Sequence, residues 1–162
     1  MKVFFLGLLF GFQALASPSP ISQIKFPVEK YQLPNGLTVI LHEDHSAPLV
    51  SYHTWFRVGS RDEEVGYTGL AHFFEHMMFK GTEKYSSKDY EKLLRENGGT
   101  NNAFTTQDYT GYYVNLPSSK LELAMSLESD RMLNLIITKD NMDSERNVIK
   151  EERRFRIENR VM

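Results

Sequence analysis

The run from Thr68 to Phe79 constrains this chain more than any other segment. It carries His72-Phe73-Phe74-Glu75-His76 and reads as a helix, with Thr68 as the N-cap and Gly81 as the stop. Each helical residue turns about 100°, so with His72 at 0° Glu75 falls near 300° and His76 near 40°. Two imidazoles and one carboxylate therefore share a single arc. Leu70, Phe73, Phe74, Met77 and Met78 fall between about 100° and 240°, on the opposite side. The expectation is an apolar face that enters a core and a polar face that stays accessible. Residues four apart are neighbours on a helix, so His72 and His76 can reach one metal ion.

The surrounding chain alternates between strand and helix patterns. Glu29 to Leu33 and Leu37 to His42 flank Pro34-Asn35-Gly36, a hairpin signal because Asn-Gly tolerates the positive φ of a tight turn. Leu49 to Val58 is rich in β-branched and aromatic residues and reads as a longer strand, followed by a charged loop from Gly59 to Gly66. Ser86 or Ser87 caps a second helix that runs through Asn97 and is ended by Gly98-Gly99. Asn101 to Thr105 and Tyr109 to Leu116 read as two strands, and Pro117-Ser118-Ser119 opens a helix reaching about Asn134. Asp140 caps a last helix toward Arg160. This order predicts an α+β fold, with an antiparallel sheet and helices packed on one face.

Composition removes several function classes. There is no Cys, which excludes a disulfide framework, a Cys zinc finger, an iron–sulfur cluster and a thiol nucleophile. A net charge of -2 and a pI near 6.2 exclude a polycation, so no nucleic-acid partner is expected. The N-terminus reads as an address: Lys2, an apolar run from Val3 to Phe12, then Ala14-Leu15-Ala16 in the pattern signal peptidase recognises. The run is shorter than the roughly 20 apolar residues needed to span a bilayer. The expected organisation is a signal peptide over 1–16, a leader arm over 17–28, and a domain over 29–162 that is exported to a periplasm or secreted. No later stretch is apolar enough to span a membrane.

A catalytic zinc held by two His needs a third ligand, and Glu is a common choice. The last helix offers Glu145 and Glu152, seven residues apart and so on one face, while Glu151 points about 100° away from Glu152. Spacing alone does not choose between Glu145 and Glu152.

Several ordered blocks together resemble one known family. His72 to Thr82, reading HFFEHMMFKGT, is similar to the inverted zinc motif of the pitrilysin/insulinase metallopeptidases, which include the mitochondrial and bacterial processing peptidases. Leu33 to Leu37 resembles the family's opening hairpin, and Gly59 to Glu63 with Gly69 to Ala71 resembles the approach to the zinc helix. Asn101 to Thr106 with Tyr112-Tyr113 resembles the strand pair that receives substrate, and Glu145 to Glu152 resembles the third-ligand helix. The resemblance implies His72, His76 and Glu152 as ligands of one Zn2+, Glu75 as the catalytic carboxylate, and Glu145 as the group orienting a ligating His. It further implies that Asn102, Ala103 and Phe104 pair through their backbone with a bound peptide. His42, His45 and His53 match no ligand. The activity implied is zinc endopeptidase action on flexible or unfolded peptides; the alternative is an inactive fragment or a structural partner subunit. Family members resemble a clamshell of two or more related domains, so a second peptidase domain or subunit is the expected partner. The match covers only the N-terminal part of the first domain.

Overall fold

The computed structural model describes residues 27–158. The expected signal peptide, the expected leader arm up to residue 26 and the expected extension of the last helix beyond residue 158 lie outside the described residues. The chain divides into two units, one up to His45 and one from Ser46 onward.

The first unit contains a hairpin of β1 (Glu29–Gln32) and β2 (Thr38–Leu41), antiparallel with Gln32 opposite Thr38. The turn works as Asn-Gly predicts. Gly36 takes φ +88°, the Asn35 side chain accepts from the Leu37 N–H at 3.1 Å, and Leu33 N donates to Leu37 O at 2.8 Å. Each strand is slightly shorter than expected.

The second unit is built on an antiparallel sheet of β3 (Leu49–Phe56), β4 (Thr100–Thr105) and β5 (Thr110–Pro117), in the order β3-β5-β4. The helices are α1 (Leu70–Met77), α2 (Ser87–Glu96), α3 (Leu121–Asn134) and α4 (Lys139–Glu158). This is the expected α+β class. The alternation in β3 and β5 sends Val50, Tyr52, Tyr112, Val114 and Leu116 to the face that α1, α2 and α3 cover. There Val114 and Leu116 join Tyr90, Leu94, Ala124 and Leu127 in the core. Removing such a buried side chain costs about 2–5 kcal/mol. The opposite face carries an aromatic cluster in which Trp55 meets Phe104 at 5.5 Å and Tyr109 at 5.2 Å between ring centroids.

Beneath the sheet, α3 buries a charged pair. Arg131 pairs with Glu128, which also accepts from the Tyr90 hydroxyl at 2.6 Å. The Arg131 guanidinium lies 4.5 Å from the Tyr112 ring centre and 5.4 Å from that of Phe79. Phe79 follows α1, so this cluster supports the chain where it leaves that helix.

Two helix starts and one helix face differ from expectation. Ser86, one of the two candidates, caps α2, but Thr138 rather than Asp140 caps α4, its hydroxyl accepting from Asn141 N at 3.2 Å. The N-cap of α1 is Gly69, not Thr68, in a left-handed conformation at φ +94°. The apolar face of α1 is only partly inside. Met77 is fully buried, whereas Leu70 and Phe74 are exposed. The helix sits on the sheet through Ala71 and Glu75 and meets α4 through its His side, which leaves the Leu70–Phe74 side open. That side lines a cavity of about 560 Å³ together with Phe56, Val58, Tyr67 and Met78.

Candidate metal centre

The centre is assembled by α1 and α4. Gly69 has no side chain with which to cap α1, and Glu63 takes over from the preceding loop. Its two carboxylate oxygens accept from Gly69 N at 2.8 Å and Ala71 N at 2.9 Å. A carboxylate at this end also complements the helix dipole. The loop is itself pinned to the β4–β5 turn. Ser60 N donates to Thr106 O at 3.0 Å and Arg61 N to Gln107 O at 2.9 Å, and a Cβ on Gly59 would lie 2.5 Å from the Gln107 backbone. The start of the helix is thus tied, through this loop, to the β4–β5 turn.

From α1, His72 and His76 bring their Nε2 atoms to 3.1 Å. From α4, Glu152 places Oε2 3.7 Å from His72 Nε2 and Oε1 3.7 Å from His76 Nε2. The three donor atoms lie within 4.8 Å of one another. A tetrahedral zinc with bonds of about 2.0–2.1 Å sets two nitrogen donors about 3.3 Å apart, so the imidazole pair already has the needed span. The His₂Glu donor set is also one that zinc takes in catalytic sites. The residues fit the metal by geometry and by chemistry.

The other α4 carboxylates have different tasks. Glu145, 6% exposed, accepts from His76 Nδ1 at 2.7 Å, which leaves the Nε2 lone pair of that ring free. Burial pushes the Glu145 carboxyl up, but hydrogen bonds from Lys80 and then His76 outweigh it and hold the group below its usual range. Glu151 is exposed and pairs with Arg154 at 2.5 Å. His72 is pushed down, first by burial and then by His76, which favours the neutral imidazole a metal requires.

Glu75 lies on the sheet side of α1 at 8% exposure, and its carboxylate accepts from the Thr105 hydroxyl at 2.5 Å. Thr105 ends β4, the strand that holds Asn102, Ala103 and Phe104. β4 pairs with β5 along one side only among the described residues. Ala103, opposite Tyr112, shares the helix-covered face with Thr105. Asn102 and Phe104 lie on the other face. The Asn102 side chain accepts from Ala103 N at 2.8 Å, and the Phe104 ring lies over Gly111. His42 Nδ1 meets Pro27 O at 2.8 Å, His45 pairs with Glu43, and His53 meets Ser51 Oγ at 2.8 Å. None of the three belongs to the clustered donor set.

Sequence reasoning missed Glu63, Lys80 and Thr105. Lys80 sits four residues beyond His76, on the same helical row, and that spacing was its available signal. Thr105 follows Ala103 by two, the strand period that puts both on one face. Glu63 carried no local signal, because its capping role spans six to eight residues and a loop.

A model of the insulinase family, peptidase family M16, matches residues 38–159. An uncharacterised zinc protease of Streptomyces coelicolor is 36% identical over 125 residues, covering 77% of this chain and 27% of that protein. The zinc protease PqqE of Helicobacter pylori is 33% identical over 132 residues, covering 81% and 30%. The crystal structure of a protease from Helicobacter pylori superposes with a TM-score of 0.78 at 32% identity, over 83% of this chain and 32% of that one. The chain thus spans about three tenths of the length of these relatives.

Proposed function

Because the chain belongs to the insulinase family, peptidase family M16, we propose that it is the zinc-binding part of an endopeptidase that cleaves flexible or unfolded peptides. The observation that carries this reading is the convergence of His72, His76 and Glu152 beside a buried Glu75. Zinc bound there would supply a Lewis acid for the scissile carbonyl and lower the pKa of the attacking water. At this centre the chain's own residues do the rest. Glu75 takes a proton from the water and returns it to the leaving amine. The Thr105 hydroxyl holds Glu75 against the sheet. Glu145 keeps His76 in the Nδ1–H tautomer. The unpaired side of β4 at Asn102, Ala103 and Phe104 receives an extended peptide as an added strand, a mode open only to segments free of their own structure. Further domains or a second subunit complete the chamber, in keeping with the share of its relatives that this chain spans.

Cleavage of a quenched flexible peptide library, with zinc added and Glu75→Gln alongside, tests this. Glu75→Gln is expected to retain zinc and lose hydrolysis by at least about a hundredfold, the lower end for a positioned general base. Residual turnover near wild type would remove Glu75 from its role. Zinc binding without turnover in either protein would favour the non-hydrolysing partner or fragment. Export is part of the same proposal, and an intact residue 1–16 segment on protein recovered from cells would refute it.

A further inference from the structure

We propose that Lys80 is a positioning residue of the metal centre, acting through Glu145 to hold His76 in its ligating orientation. The inference rests on the metal-centre reading above and adds a residue to it. Glu145 is nearly fully buried, and its two oxygens face different partners. One accepts from His76 Nδ1. Among the described residues, the other has no hydrogen-bond partner besides the Lys80 ammonium, which pairs with it directly. A buried carboxylate oxygen stripped of its partner bears the full desolvation penalty, so Glu145 would turn to find another donor. The bond to His76 would turn with it. Two partners at opposite ends fix the carboxylate; one alone does not.

The backbone of Lys80 is built to deliver that ammonium. Lys80 N donates to Met77 O at 3.0 Å, continuing the turn beyond α1. Gly81 then breaks it at φ +96°, where a Cβ would lie 2.8 Å from Ser87 N and Tyr85 O. Gly81 O accepts from Ile136 N at 3.1 Å, and the Thr82 hydroxyl donates to Asp130 at 2.5 Å, so α3 and its exit anchor the segment. Lys80 is only 26% exposed along its side chain, which limits the freedom it loses on pairing. Repulsion between an ammonium and a bound cation opposes the effect. Here the Glu145 carboxylate pairs with the ammonium and neutralises it, so the geometric contribution dominates.

The test measures zinc affinity by chelator competition on the purified chain, with no reliance on turnover. Lys80→Met is expected to weaken zinc about tenfold, at the lower end for groups behind a ligand. Lys80→Arg should restore it to within about threefold, and Lys80→Met should add nothing in a Glu145→Gln background. The His76 Nδ1–H resonance of the zinc-loaded protein should be protected in wild type and Lys80→Arg and lost in Lys80→Met. Should Lys80→Met not fold, Lys80→Leu, which likewise offers no donor, takes its place with the same expectations. Wild-type affinity in a folded Lys80 variant, or additive weakening in the double variant, would overturn the proposal while leaving the metal centre standing. Failure of the wild-type chain to bind zinc would overturn the metal centre itself, and this inference with it.

Discussion

Glu151 and Glu152 differ by one step of helix rotation, about 100°, and that step separates a solvated ion pair from a group beside two imidazoles. Glu152→Ala is therefore expected to weaken zinc binding by at least a hundredfold, and Glu151→Ala by less than threefold, the scale of an exposed ion pair. Equal metal content in the two variants would refute the ligand choice. Spacing in the sequence could not decide between Glu145 and Glu152, since seven residues put both on one face. What separates them is depth: Glu145 reaches the far side of His76, and Glu152 reaches both Nε2 atoms. Glu63 is a residue of the opposite kind, silent in the sequence and specific in the structure. Glu63→Ala removes two hydrogen bonds to a charged group at the start of α1 and is expected to cost about 2 kcal/mol, read as a lower urea midpoint. Glu63→Gln should recover part of that loss, because one amide oxygen can still accept.

At the scale of elements, legibility followed locality. The β1–β2 turn, the α2 cap at Ser86 and the alternation of β3 and β5 were readable because each depends on residues close in sequence. The start of α1 was not, since its cap comes from Glu63, and the open Leu70–Phe74 side was not, since periodicity shows that a helix has an apolar face but not what covers it. The strand interior holds another non-local requirement. A Cβ on Gly111 would lie 2.7 Å from Phe104 Cζ, because that ring crosses from β4 over β5 to Trp55. Gly111→Ala is expected to displace the ring, shift the emission of Trp55, the one tryptophan, and destabilise by about 1–3 kcal/mol. An unchanged spectrum and midpoint would show that the ring can move aside without cost.

Over the whole molecule, the described residues of the second unit share one core, between the sheet and its helices, and no described helix is long and apolar enough to cross a membrane. The candidate centre lies apart from that core, at the junction of α1 and α4, and nearly half of the chain runs between His76 and Glu152. An ion grasped by both helices would clasp that length of polypeptide into a ring. The freedom removed from the unfolded chain by such a clasp grows with the logarithm of ring size, so a wide ring is favourable ground for one. Metal occupancy and the docking of α4 would then share one equilibrium, and a chelator would act on this protein as a denaturant acts on others.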